Sequence, residues 1–283
     1  MITGRTRTYG LIGHPVRHSL SPAMHNELFR RRQIDAIYVA LDARPEDAER
    51  VGEAMRTLAL AGANLTVPFK ERVLPALDHL SPAAEAAGAV NVVVREGAEL
   101  YGHNTDGAGY LAALAEEMGV SPRGLRAVVL GAGGTGRAVA AALAEGGAAH
   151  VVVMNRTTRR AETACAALSI RFPPCGFEAA PLDPHAFARF APTADLIVNC
   201  TSGAGAERVA EMDVRVLRRG VVWTDVNYWM ADPPRLAACA AHGVRIQRGI
   251  GMLIHQGALS FELFTGRPVD GDTIRGVLDI GGW

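Results

Sequence analysis

Short apolar runs alternate along this chain with longer stretches in which apolar residues recur at helical spacing. "YGLIG" precedes "PAMHNELFRRR", "AIYVAL" precedes "PEDAERVGEAMRTLA", and "ANLTV" precedes "FKERVLPALD". Strand and helix in this order build a mainly parallel sheet covered by helices. The alternation stops at "AVNVVVREGAELYGHNTD", where two strand-like runs flank a glycine-containing turn. A hairpin there closes the first series and puts a boundary near Asp106. A second series follows, with a helix at "GYLAALAEEMG", a strand at "AVVLGAGG", a helix at "RAVAAALAEGG", a strand at "HVVVMNRT" and a helix at "RRAETACAAL". "ADLIVNCT", "GVVWTDVNY" and "GVRIQRG" read as further strands, with a helix over "PPRLAACAAHG" between the last two. The proline-rich "IRFPPCGFEAAPLDPH" reads as loop. A terminal helix, "GMLIHQGALSFELFTG", is expected to return to the first series. The expected fold class is α/β in two domains: residues 1–106 with 250–283 form an amino-terminal α/β substrate domain, and residues 107–249 form a doubly wound domain of Rossmann type.

Composition narrows the function. The 283 residues are 49% hydrophobic, enough to fill two cores. Lysine plus arginine equals aspartate plus glutamate at 29 each, and the longest basic run, Arg30 to Arg32, merely ends a predicted amphipathic helix. No nucleic-acid footprint follows from that distribution. Cys165, Cys175, Cys200 and Cys239 are scattered without C-x-x-C spacing, so they read as reduced, buried thiols rather than a zinc site or disulfide framework. The histidines show no ligand spacing, and no metal is expected. The amino terminus lacks a signal-peptide core, and no run of about 18 apolar residues occurs. The expectation is a cytoplasmic enzyme, monomer or homodimer, that acts on a small molecule and has neither nucleic-acid nor membrane partners.

"NLTVPFK" contains Lys70, the only lysine beside 28 arginines. A surface charge is served by either residue, but arginine stays protonated at biological pH whereas a lysine ammonium is able to give up and retake a proton. Retaining one lysine points to proton transfer. "VVLGAGGTGRA" sets Gly131, Gly133 and Gly136 in G-x-G-x-x-G spacing after an apolar strand and before a helix, the context of a pyrophosphate site on a helix amino terminus. About 20 residues on, an NAD-binding unit carries a carboxylate for the adenosine ribose. Here "NRTTRRAE" has none before Glu162, and Arg156 and Arg160 are placed to neutralise a 2′-phosphate. NADP is therefore expected over NAD. In the first series, Ser19 and Ser21 line one loop, and Asn64, Thr66, Asn91, Thr105 and Asp106 stand at other strand ends, where ligands of open α/β sheets gather. Helix capping and turns explain each residue singly, but the set suits a polyhydroxylated substrate, since the chain has only seven asparagines.

The motifs "GHPVRHSLSPAMHN", "NLTVPFK", "GAVN", "HNTDG", "GAGGTGRA", "NRT", "NCTSG" and "GMLIHQ" resemble those of the shikimate dehydrogenase family, in order, from about Tyr9 to about Gly266. The resemblance implies an amino-terminal substrate domain, a Rossmann NADP domain and a carboxy-terminal helix returning to the first. It implies Lys70 and Asp106 as the catalytic pair, and Ser19, Ser21, Asn64, Thr66, Asn91, Tyr228 and Gln256 as substrate-binding. It also implies Gly131, Ala132, Gly133, Gly134, Thr135, Gly136, Asn155, Arg156, Thr157, Arg160, Thr201, Val226 and Gly249 as cofactor-binding. The activity implied is interconversion of 3-dehydroshikimate and shikimate by hydride transfer, in aromatic amino acid biosynthesis. Arg248, His103, Ser260 and Val226 depart from common family choices and bear on substrate preference. Quinate or aminoshikimate dehydrogenases of the same fold are the nearest alternatives. A folate-type dehydrogenase would carry tyrosine where Thr66 stands, and a glutamyl-tRNA reductase needs a cysteine earlier than Cys165. A catalytically silent NADP-binding regulator is the alternative of a different class, and intact Lys70 and Asp106 argue against it.

Overall fold

The computed structural model describes residues 2–228 and 234–278. They fall into two compact units, one of residues up to Thr105 together with those from Ile254 on, the other Asp106–Leu253. The first unit holds strands β1 (Arg7–Gly13), β2 (Ala36–Asp42), β3 (Gly62–Leu65), β4 (His79–Leu80), β5 (Val92–Glu96) and β6 (Glu99–His103), side by side in the order β2-β1-β3-β5-β6-β4. β1 runs parallel to β2 and β3, whereas β5 runs antiparallel to both β3 and β6. The expected hairpin thus forms, but inside the sheet, and it makes the sheet mixed. One core gathers Met55, Leu65, Phe69, Val73, Val90, Val93 and Leu100, with each fully buried side chain of this size contributing about 1.5–3 kcal/mol. Aromatic rings build a second packing region. Tyr9, Tyr38 and Phe29 of helix Ser21–Arg31 meet Phe261 and Phe264 of helix Ile250–Thr265, and the Tyr9 hydroxyl donates to the Phe264 carbonyl at 2.9 Å. The carboxy-terminal helix is anchored to this unit by those contacts.

The second unit has β7 (Arg126–Leu130), β8 (His150–Asn155), β9 (Gly176–Pro181), β10 (Leu196–Asn199), β11 (Val222–Asp225) and β12 (Arg245–Gln247), all parallel, in the order β12-β11-β10-β7-β8-β9. This is the doubly wound order whose switch point lies between β7 and β10. The segment read as loop from its prolines contains β9, which pairs with β8 from His150↔Gly176 to Asn155↔Pro181. Pro173 and Pro174 precede the strand and Pro181 ends it at the sheet edge, where a missing N–H costs no ladder bond. The helix expected from Arg137 begins at Gly134 and runs to Glu145. That expected from Pro233 is seen over Pro234–Ala241, Pro233 itself lying outside the described residues. Trp223 and Phe187, edge to face at 6.1 Å, centre a core with Leu130, Met154 and Ile197.

Candidate active site

The strand ends of the first unit place the predicted polar residues. Ser21 opens helix Ser21–Arg31, and its backbone N–H donates to Ser19 Oγ at 3.2 Å, so the two serines form one pair on the loop after β1. Just past β3, the Thr66 N–H donates to the Ile12 carbonyl and the Thr66 carbonyl accepts from Phe69 N–H at 2.8 Å. That turn starts the short helix Phe69–Arg72, on which Lys70 stands half-buried. The Lys70 carbonyl accepts from Val90 N–H at 2.8 Å, tying its backbone to the segment that precedes β5.

Asn64, at the third position of β3, is the hub of a buried amide network. Its Oδ1 accepts from the Tyr38 hydroxyl at 2.8 Å, and its Nδ2 donates to the Asn91 carbonyl at 3.2 Å and to Ser260 Oγ at 3.0 Å. Asn91 Nδ2 donates to Thr105 Oγ1 at 2.9 Å and to Gln256 Oε1 at 3.4 Å, while Asn91 Oδ1 accepts from Thr105 N–H at 2.8 Å. Three predicted substrate residues, Asn64, Asn91 and Gln256, are thereby joined through the helix that returns from the end of the chain. Tyr38 is a member that sequence reading missed. Its only signal was a hydroxyl-bearing ring inside an otherwise apolar strand.

In the second unit, buried Asp106 opens helix Asp106–Met118 and accepts from Thr135 Oγ1 at 3.1 Å. Gly131 has φ +106°, in the region that favours glycine, and Gly133, the N-cap of helix Gly134–Glu145, offers no side chain to its first N–H groups. A Cβ on Gly133 would meet nothing within 4 Å, so the loop presents open backbone beside the helix start. Ala132 N–H donates to Asn155 Oδ1 at 3.1 Å and Asn155 Nδ2 to the Thr157 carbonyl at 3.0 Å, linking the glycine loop to the end of β8. Arg156 and Arg160 follow as exposed cations. Backbone donors, a positive helix end and two arginines fit a dinucleotide with a 2′-phosphate.

A second cluster sits at the ends of β10 and β11. Asp225, buried, accepts from Asn199 Nδ2 at 2.8 Å, from Asn227 N–H at 2.9 Å and from Asn227 Nδ2 at 2.7 Å. Burial pushes its carboxyl above the ordinary range, and those donors oppose the shift. Asn199 Oδ1 accepts both the N–H and the hydroxyl of Thr201, and the Asn199 carbonyl accepts from Val226 N–H at 3.1 Å. A Cβ on Gly249 would lie 2.3 Å from the Val226 carbonyl oxygen, so only glycine permits that approach. Thr201, Val226 and Gly249 are thus one constellation, with half-buried Tyr228 two residues beyond Val226. Asn199, Asp225 and Asn227, which hold it, were not singled out from sequence. The available signal was a polar residue ending an apolar strand. Cys165 and Cys239 offer no nucleophile, since burial pushes both thiols up to about 11.

A doubly wound sheet with a glycine loop and arginines, in one chain with a second unit rich in buried amides and hydroxyls, fits the class of dinucleotide-binding enzymes. Residues 11–93 match the shikimate dehydrogenase substrate binding domain, residues 113–219 match shikimate / quinate 5-dehydrogenase, and residues 249–278 match the shikimate 5′-dehydrogenase C-terminal domain. The shikimate dehydrogenase (NADP(+)) of Geobacter sulfurreducens is 43% identical over 272 residues, covering 95% of each chain. The shikimate 5-dehydrogenase of Listeria monocytogenes, solved with shikimate and NAD, superposes with TM-score 0.85 at 32% identity and 98% coverage of both chains. That of Thermus thermophilus, solved with NADP(H) and shikimate, gives TM-score 0.80 at 35% identity, covering 97% of this chain and 99% of the other. The chain belongs to the shikimate dehydrogenase family.

Proposed function

We propose that this protein is an NADP-dependent oxidoreductase that interconverts 3-dehydroshikimate and shikimate. The observation that carries the reading is 43% identity across 95% of both chains to an enzyme of that name. Bound NADPH supplies the hydride from C4. The chain's own part is to bind the ring, orient it and move one proton. Lys70, as an ammonium, hydrogen-bonds the ketone, stabilises the developing alkoxide and donates the proton; in the reverse direction neutral Lys70 is the base. Asp106 is its partner in the catalytic pair. Ser19, Ser21 and Tyr228 take the substrate carboxylate, Asn64, Asn91, Asp106 and Gln256 meet the ring hydroxyls, and Thr66 is a further substrate contact. Gly131 to Gly136, with Asn155 and Thr157, hold the cofactor's phosphates and ribose, Arg156 and Arg160 pair with its 2′-phosphate, and Thr201, Val226 and Gly249 flank its nicotinamide. A place in aromatic amino acid biosynthesis, a cytoplasmic location, and a monomeric or homodimeric state belong to the same proposal.

The test mixes the protein with NADP⁺ and shikimate at alkaline pH and follows NADPH absorbance, with quinate and NAD⁺ in parallel arms. The fastest turnover is expected for shikimate with NADP⁺. A higher kcat/KM for quinate would overturn the substrate assignment and leave the hydride-transfer chemistry standing. No turnover of either acid would leave the silent regulator as the better reading.

A further inference from the structure

Hydrogen-bond capacity around Asn64 decides which face of its amide a ligand meets. A carboxamide has two N–H donors and an oxygen with two lone pairs. Both donors of Asn64 are committed, to the Asn91 carbonyl at 3.2 Å and to Ser260 Oγ at 3.0 Å. The reverse orientation of the amide is excluded by its surroundings. It would turn Oδ1 onto the Asn91 carbonyl, which only accepts, and onto the Ser260 oxygen, whose hydrogen is already given to the Gln256 carbonyl at 2.8 Å. With the orientation settled in this way, the Tyr38 hydroxyl must donate to Oδ1 at 2.8 Å, and among the described residues nothing takes the second Oδ1 lone pair.

We propose that Tyr38 and Ser260 are positioning residues that lock the Asn64 carboxamide with Oδ1 as its only group left for a ligand, so that Asn64 accepts a hydrogen bond from a non-reacting hydroxyl of the substrate. The proposal rests on the reading of Asn64 as a substrate contact. It assigns that contact a direction: an alcohol O–H satisfies it, and a ketone or ether oxygen at the same place does not, because two acceptors would face each other in a buried site. Tyr38 and Ser260 come from β2 and from the returning helix, on opposite sides of the hub in sequence, and both are almost wholly buried. The Tyr38 ring is held independently of its hydroxyl, stacked on His25 at 4.5 Å and packed against Phe264 at 6.4 Å. Removing the hydroxyl therefore leaves the packing in place.

The experiment measures KM and kcat for shikimate and KM for NADP⁺ in Tyr38→Phe and Ser260→Ala, alone and in an Asn64→Ala background. Each single variant is expected to raise the shikimate KM about 3- to 10-fold, the factor one neutral hydrogen bond carries, with the NADP⁺ KM changed less than about twofold. In the Asn64→Ala background the same substitutions are expected to add nothing further. A shikimate KM unchanged in both single variants would overturn the proposal, as would effects that persist in full without the Asn64 side chain, since those would come from packing. Tyr38→Phe keeps the test decisive if Ser260→Ala folds poorly. Failure of the unmodified protein to oxidise shikimate at all overturns the function on which this inference stands, an outcome distinct from an active enzyme whose variants behave like the parent.

Discussion

A Cβ on Gly136 would stand 1.9 Å from the carbonyl oxygen of Gly131, inside any contact that a real side chain makes. The opposing atom is backbone, so relief requires moving the turn itself. Gly136→Ala is expected to shift the loop or prevent its closure, raising the NADP⁺ KM more than about 10-fold or lowering the melting temperature by several degrees. Kinetics and thermal unfolding on one preparation check this, and a variant with parental KM and melting temperature would show that the loop relaxes freely.

Lys70 carries the proton in the proposed chemistry. Lys70→Ala and Lys70→Arg should both lose most of kcat while KM for shikimate changes much less, because the missing interaction belongs chiefly to the transition state. Arginine keeps the charge and withholds the proton. Near-normal turnover in Lys70→Arg would reduce the role of this residue to electrostatics.

Arg156 is exposed just past the end of β8, beyond Asn155. Arg156→Ala is expected to raise KM for NADP⁺ about 10-fold or more and to leave NAD⁺ nearly unaffected, since only NADP⁺ carries the 2′-phosphate. Parallel titrations of the two cofactors measure it. Equal losses for both would place the arginine on the pyrophosphate or outside the site.

His25 links burial to acid stability. Its ring is buried against Tyr38, Phe261 and Phe264, and burial lowers its pKa from 6.5 to about 3. The unfolded chain takes up a proton as pH falls through 6.5, whereas the folded chain takes it up only near pH 3. The stability tied to neutral His25 is therefore complete above pH 6.5 and is lost as pH falls towards 3, at up to about 1.4 kcal/mol per pH unit. Urea unfolding at several pH values between these limits should show a shallower acid loss in His25→Phe than in the parent. Parallel curves would assign the acid sensitivity to other groups.

Much of the molecule was legible in the chain because the relevant physics is local. Side-chain periodicity marked the strands and helices, and a glycine-rich turn between an apolar strand and a helix is specified by sterics over a few residues. The one lysine stands out by its chemistry alone. Among the candidate site residues, the glycine loop from Gly131 to Gly136 is marked by its immediate neighbours, whereas Ser19 and Ser21 point to a ligand only as part of a larger set of polar residues.

Other features depended on which segments meet. Pro173, Pro174 and Pro181 argue for loop by local rules, yet β9 forms between them because the edge of a parallel sheet asks for hydrogen bonds on one side only. The hairpin of β5 and β6 is readable as a hairpin, but its antiparallel place against β3 is a choice of register that no local pattern encodes. Tyr38 and Ser260 reach Asn64 across 26 and 196 residues of sequence, so the direction of that amide became fixed only when strand, helix and loop closed around it. Periodicity and backbone sterics act within a few residues and are written in the sequence, whereas a buried hydrogen bond needs two groups brought together by packing, and that pairing exists only in the folded chain.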